Sequence, residues 1–482
     1  MSAAGTWSWP MLAPAVPEMF LGAAICVVLL FDVVADAPRR RWTPMLTFAL
    51  LAIGAWLTAR YALVEEPVHL FGQLYVADRL AGALKLASFL LVALALLYAR
   101  PMLEAKGMLR GEFFVLALTA LLGICVIVSA SGLLTLYLGI ELLALSQYAM
   151  VAFHRESGVA AESAMKYFVL GAIASGFLLF GMSMIYGLTG SLLFTDLATR
   201  LGDDTSLGLI LGVVFVVVGV AFKFGGAPFH MWVPDVYHGA PAPVGVFIAT
   251  TPKIASFAMA FRLLSQGLGG QEAMWTQMLA IVAVLSLLLG NIVAIAQTNL
   301  KRLLAYSTIG NVGFILLGFV AGTEQGYQAA LFYTLVYILM VLGSFGVVLL
   351  ASRGAIEAEE LDDYRGLQAR DPMLALAMLF LMFSTAGVPP FVGFWAKLQI
   401  LQALWASGFS GLVILAAAVS VVGAFYYLRV VKIMYFDPPT TAAAGAAGYG
   451  LRWIMGVNAL AVLLLGLVPG ALLDWCTRLL TA

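Results

Sequence analysis

In a chain of 482 residues, 63% are hydrophobic and only 10% are charged, and the mean hydropathy is +1.02. An ordinary soluble domain carries about 25% charged residues, so a soluble globule is excluded and a membrane protein is implied. The 25 basic and 25 acidic residues cancel, so no net field recruits nucleic acid or an acidic partner, and a long solvated tail is excluded as well.

A transmembrane helix needs roughly 20 apolar residues. Runs of that kind lie at 12–32, 44–63, 79–99, 112–129, 132–153, 164–188, 207–236, 243–267, 275–295, 302–321, 327–351, 372–405, 410–432 and 453–472. The first is read as a retained helix rather than a cleaved leader, because Arg39, Arg40 and Arg41 follow the apolar run instead of preceding it, although Ala35-Asp36-Ala37 mimics a cleavage site. The expected fold is therefore all-α and polytopic, a single transmembrane domain over 1–482 with about fourteen transmembrane helices.

Two of the runs are too long for simple spans. One is interrupted by Gly225-Gly226-Ala227-Pro228-Phe229 and the other by Gly387-Val388-Pro389-Pro390-Phe391. Freed backbone groups at membrane depth are tolerated only where protein or water satisfies them, so such breaks line cavities. The two interrupted segments are offset by five spans, an odd number, which predicts two five-helix repeats of opposite topology at about 112–267 and 275–432, flanked by helices at 1–100 and 453–472. The longest loop, 352–371, is acidic (Glu357, Glu359, Glu360, Asp362, Asp363), and 438–450 reads as an Ala/Gly-rich connector. No loop is long enough to fold into a catalytic domain.

Lys and Arg collect on the cytoplasmic side of a membrane protein. With the N-terminus outside, fifteen bases fall at cytoplasmic ends and loops, among them Arg39, Arg40, Arg41, Lys106, Lys301 and Arg302, and five on the other side (Arg60, Arg79, Arg200, Arg262, Arg478). Both termini are therefore expected to be periplasmic, in a bacterial inner membrane.

An ionisable group inside hydrocarbon is costly and marks function by default. Glu141 is the one acid near the middle of a span; Lys253 lies at mid-depth; Lys223 immediately precedes the first break and Lys397 follows the second. Lys166 stands between a role in the site and a snorkelling position, and Lys85, near a helix end, is expected to snorkel. A Glu141–lysine pair that only staples two helices is the structural alternative. Of the four histidines, His69 and His154 fall in loops, and His230 and His238, beyond the first break, are too close together to ligate a haem; with Asp235 they form a weak alternative metal site. Cys26, Cys125 and Cys476 are scattered packing residues, and no glycine-rich dinucleotide loop occurs, so the chain is expected to hold no cofactor and no metal. What is left is a row of one carboxylate, several lysines and a histidine. Burial disfavours an ammonium charge and a nearby carboxylate restores it, so opening and closing such contacts moves a lysine between holding and releasing a proton.

The strings FKFGGAPFHMWVPDVYHGAPAPV (222–244), QTNLKRLLAYSTIGNVGF (297–314) and GVPPFVGFWAKL (387–398), with Lys253 between the first two, resemble the antiporter-like subunits of respiratory complex I, the bacterial NADH:quinone oxidoreductase. The resemblance covers about 110–435 and extends to subunits of Mrp-type sodium/proton antiporters. The wording PDVYHGAP, a lysine at 253 and a lysine at 397 set the chain apart from the larger L and M subunits. The resemblance implies a proton-translocating subunit in which Glu141 pairs with Lys223, Lys253 relays toward Lys397, and His230 and Lys166 are accessory. It implies that NADH, FMN, iron–sulfur clusters and quinone belong to other subunits. The partners it implies are the lipid bilayer, the M-type subunit and small membrane-arm subunits. An Mrp-type antiporter subunit and a purely structural scaffold are the alternatives.

Overall fold

The computed structural model describes residues 12–35, 42–202, 205–439 and 449–481. Arg39, Arg40, Arg41, the Asp36-Ala37 dipeptide and most of the 438–450 connector lie outside the described residues. Among the described residues, thirteen helices are long and apolar enough to cross a membrane, and one shorter apolar helix, Pro372–Ala386, joins them.

In chain order the bundle comprises α1 (Val16–Val34), α2 (Thr43–Leu57), a small antiparallel hairpin of β1 (Val68–Leu70) and β2 (Tyr75–Ala77), α3 (Arg79–Ala105), α4 (Gly111–Val128), α5 (Leu133–Val151) and α6 (Gly158–Thr189). The first interrupted segment follows as α7 (Leu207–Phe224) and α8 (Trp232–Gly239), and the next span as α9 (Ala242–Ala249) and α10 (Pro252–Ala260). Then come α11 (Glu272–Ile295), α12 (Leu300–Val320), α13 (Glu324–Ala351), the second interrupted segment as α14 (Pro372–Ala386) and α15 (Val392–Ala406), α16 (Ser410–Phe436), α17 (Tyr449–Leu467) and α18 (Gly470–Leu480). The eighth span holds a break the sequence reading lacked: α9 stops at Thr250-Thr251, just before Pro252.

Local chemistry sets the helix starts. Asp78, Ser157, Ser206, Asn299, Thr323 and Asp371 each accept a hydrogen bond from a first-turn N–H, the side-chain capping that isolated N-termini need. With no hydrophobic drive between helices in lipid, close approach has to come from small residues. A Cβ on Gly290 would meet the Gly310 nitrogen at 2.4 Å, and one on Gly123 would meet the Leu143 nitrogen at 2.7 Å, so α11 against α12 and α4 against α5 pack backbone to backbone. The span Ala242–Gly267 and helix α12 are almost wholly buried, whereas only about a quarter of α1, α2, α16 and α17 is buried and many of their apolar side chains are exposed, a surface suited to hydrocarbon.

Two expectations are corrected here. Lys85 does not snorkel: its side chain is fully buried, with Nζ 2.6 Å from Glu18 and 2.7 Å from the Tyr75 hydroxyl. Tyr75 in turn donates to the Pro14 carbonyl, so the start of the first span folds over α3 and supplies the counter-charge. Cys26 is exposed on the outer face rather than packed, while Cys125 and Cys476 are buried.

Candidate functional site

Both breaks begin with the same backbone device. At the end of α7, Gly225 takes φ +80°, and at the end of α14, Gly387 takes φ +88°, the left-handed conformation that glycine adopts without penalty. Gly225 and Gly226 N–H both donate to the Ala221 carbonyl, and Gly387 and Val388 N–H both donate to the Phe383 carbonyl. The last four carbonyls of a helix have no partner within it. At α7 all four are satisfied: Ala221 by the glycines, Phe222 by Gly225 N–H and by Trp232 Nε1 (3.1 Å), Lys223 by Ser256 Oγ (3.1 Å) and Phe224 by Lys253 Nζ (2.8 Å). The break itself is tied down by Ser286 of α11, whose hydroxyl accepts from Ala227 N–H at 2.8 Å.

Lys253, 1% exposed, therefore places its ammonium on the negative end of α7, an interaction of about 0.3–2 kcal/mol depending on burial. Its Nζ also lies 5.8 Å from the Trp232 ring, which stacks on Tyr167. Lys397 makes the parallel contact at the second break: Nζ donates to the Ala386 carbonyl at 2.8 Å and to Ser420 Oγ at 2.9 Å, and sits 5.3 Å from the Phe314 ring. In each case the acceptor is the residue just before the left-handed glycine.

Lys223, two residues before Gly225, shares with Lys253, Gln147, Tyr167, Trp232 and Ser256 the lining of a cavity of about 20 Å³, room for about one water. The direct Glu141–Lys223 ion pair is not formed: among the described residues no ion pair involves Glu141, and its carboxylate accepts a hydrogen bond from Ser175 of α6 instead. Glu141 lies on the same face of α5 as the exposed Leu138 and Leu145, which draws it to the rim beside α6.

The two accessory residues separate. His230 sits half-buried in the first break, beside the Pro228 carbonyl. Lys166 is 46% exposed and paired with Glu162 (2.9 Å) and Asp235 (3.0 Å), away from the buried lysines. Asp235 also meets Arg302 at 3.4 Å, and His238 turns to Glu359 at 3.7 Å. The alternative metal site is thus not brought together, and among the described residues no group of three or more His, Cys, Asp or Glu is placed to hold a metal ion.

A buried set of neutral polar groups was not singled out from the sequence. Ser307 and Tyr427 hydroxyls lie 2.5 Å apart, Asn311 bridges to Tyr427 (3.2 Å) and Tyr333 (2.7 Å), and Tyr337 donates to Thr308 at 2.7 Å. Four-residue spacing of Ser307 with Asn311 and of Tyr333 with Tyr337 was the available signal. Helix α10 packs on α13, α13 on α12 and α12 on α15, so this set lies on the elements between Lys253 and Lys397.

Residues 130–425 match the family described as NADH:quinone oxidoreductase/Mrp antiporter, TM. The chain is 54% identical, over 97% of both sequences, to NADH-quinone oxidoreductase subunit N of Thiobacillus denitrificans. It is 50% identical to the protein of that description from Thioalkalivibrio sulfidiphilus, over 98% of this chain and 99% of the relative. Among solved structures it resembles a chain of respiratory complex I from Thermus thermophilus (TM-score 0.82, 31% identity, 95% of this chain and 98% of that one). It also resembles a chain of the Mrp complex from Dietzia sp. DQ12-45-1b (TM-score 0.83, 21% identity, 97% of each), a likeness of fold alone.

Proposed function

We infer from the chain's membership of the NADH:quinone oxidoreductase/Mrp antiporter family, to which it belongs, that it is an antiporter-like, proton-translocating membrane-arm subunit of an NADH:quinone oxidoreductase. NADH oxidation and quinone reduction, with FMN and iron–sulfur clusters, belong to other subunits. This chain moves protons in response to them. Relatives about half identical over nearly the whole chain support this reading over an Mrp-type sodium/proton antiporter, for which the likeness is one of fold.

The relay we propose runs Glu141, Lys223, Lys253, the neutral hydroxyls and amide of α12, α13 and α16, then Lys397, with His230 and Lys166 as accessories. The observation that carries it is the seating of Lys253 and Lys397, each with its ammonium on the last carbonyl of a helix broken at membrane depth. A carbonyl holds an ammonium without neutralising it, so the proton can leave without breaking an ion pair. Glu141, resting on Ser175, supplies the alternating partner: swung toward Lys223 it favours the charged amine, and swung back it favours proton release to Lys253. We propose as well two repeats of five spans with opposite topology, at about 112–267 and 275–432, each holding one break. Both termini face the periplasm of a bacterial inner membrane, and an M-type subunit and small membrane-arm subunits are the neighbours.

The deciding experiment compares Lys223→Ala with Lys223→Arg in assembled complex. Arginine keeps the charge but stays protonated, with a pKa above about 12. A proton carrier at 223 fails in both variants; a fixed charge fails in the first alone. Wild-type proton-to-electron ratio in assembled Lys223→Arg complex would refute the relay.

A further inference from the structure

The acidic loop between α13 and α14 is not simply solvated. The Glu357 side chain is 5% exposed, and its two oxygens take three partners: Lys301 Nζ at 2.7 Å, Lys106 Nζ at 2.7 Å and the N–H of Ala242 at 3.0 Å. Lys301, 1% exposed, also reaches Glu359 at 3.1 Å and the Ala240 carbonyl at 3.2 Å. Around them lies a cavity of about 320 Å³ lined by His154, His238 and Pro241 as well as the charged groups. The loop is zipped onto the turn before α12 through Leu300 N–H to the Glu359 carbonyl and Leu361 N–H to the Thr298 carbonyl. One carboxylate therefore joins three separate parts of the chain: the loop after α3, the start of α12, and the 240–242 hinge that links the outer arm of the first break to the span bearing Lys253.

We propose that Glu357 is a positioning residue for proton transfer, a charged latch that fixes the start of α9 and through it the seat of Lys253 on α7. This rests on the relay reading above. Helix α9 has eight residues, about 12 Å of rigid rod between the latch and the Thr250-Thr251 break. Glu357 and Glu359 balance Lys106 and Lys301. Removing the Glu357 charge leaves an excess buried cation facing the positive N-terminal end of α9, an arrangement that opposes the hinge position. Burial alone would raise the Glu357 carboxyl, but Lys301 and Lys106 overcome it and hold the group down at about 2. A depressed carboxyl contributes above its ordinary range of about 4.3 and is lost only as pH falls through the folded value. The latch therefore stays charged near neutral pH, and it does not itself carry the proton.

The test uses the intact complex in inverted membrane vesicles and measures NADH-driven quinone reduction and the proton-to-electron ratio, with assembly followed by blot. Glu357→Gln is expected to lower coupled turnover roughly tenfold, the factor that about 1.4 kcal/mol of lost positioning represents. Glu357→Gln with Lys106→Gln restores charge balance and is expected to return to within about twofold of wild type, since coupled neighbours depart from additivity. A residue that only glues the loop would make the double variant as poor as the single or poorer. Wild-type pumping by assembled Glu357→Gln, a double variant no better than the single, or failure of both to assemble overturns the latch. Lys223→Ala in parallel separates the two ideas: if it pumps, the relay reading fails; if it does not while Glu357→Gln does, only the latch fails.

Discussion

At the first break the ammonium on the last helical carbonyl arrives from the next span, Lys253 on Phe224, 29 residues along the chain; at the second it arrives from the same segment's other arm, Lys397 on Ala386, 11 residues along. The first contact is thus a joint between two spans, while the second closes within one. The first break also carries a second lysine, Lys223, where the second has Thr385, whose hydroxyl bonds back to the Leu381 carbonyl. One backbone device serves two purposes. Where the lysine crosses between spans, its seat reports their relative position, and where it stays within a segment it marks a fixed station.

The largest effect that sharpens this contrast comes from Lys253→Met and Lys397→Met. Both delete a relay amine, and both are expected to lower pumping tenfold or more, about 1.4 kcal/mol at least. They should differ in stability. Each leaves a helix-end carbonyl unpaired, a loss of about 1–3 kcal/mol when buried, but Lys253 is fully buried between two spans while Lys397 is only part-buried, so Lys253→Met should lower the amount and thermal midpoint of assembled complex more than Lys397→Met. Equal destabilisation on blots and melting curves would break the comparison.

A middle-sized effect is expected from alanine at the two glycines. The left-handed conformation costs a residue with a Cβ about 1–2 kcal/mol at either site, but the new methyl meets different neighbours. At Gly387 it comes within 2.9 Å of Lys397 Cδ, and at Gly225 within 2.5 Å of Val233 Cγ2. Gly387→Ala should therefore depress the proton-to-electron ratio, and Gly225→Ala mainly the thermal midpoint. The reverse assignment would show that the glycines do not act through those contacts.

The smallest differences belong to two serines, each worth about 0.5–1.5 kcal/mol as a hydrogen bond. Ser256 donates to a backbone carbonyl and Ser420 accepts from the Lys397 ammonium. Ser256→Ala should cost stability and leave the pH profile of pumping in place, whereas Ser420→Ala should slow pumping a few-fold and move that profile. Superimposable profiles for Ser420→Ala and wild type would remove Ser420 from the site.

Much of this is legible in the sequence alone. Long apolar runs placed the spans with ends off by up to six residues, the Gly/Pro strings marked both breaks, and lysines within apolar runs stood out by cost alone. What escaped depended on partners distant in sequence. Lys85 looked like a snorkelling lysine because nothing local says that Glu18, 67 residues earlier, folds over it. Glu357 sat in an ordinary acidic loop, and only the fold brings Lys106 and Lys301 to it. Ser175 is an unremarked hydroxyl in an apolar helix until α6 meets α5 beside Glu141. The Thr250-Thr251 break could have been read from the Pro252 that follows, since the residue before a proline is pushed out of helical conformation.

The near-complete burial of the span that carries Lys253 bears on how the chain is made. That span also holds Arg262, buried against Asp78 at 2.7 Å. On insertion scales a lysine near a helix centre, as Lys253 is, opposes entry into lipid by about 2.5–3.5 kcal/mol, and Arg262 nearer the span's end adds a smaller cost. Alone in the translocon, such a segment has neither the Phe224 carbonyl nor Asp78 to meet its charges. It must be retained by helices already inserted on its N-terminal side, α3 and α7, which supply those partners. The order of synthesis thus delivers the counter-groups before the charges that need them.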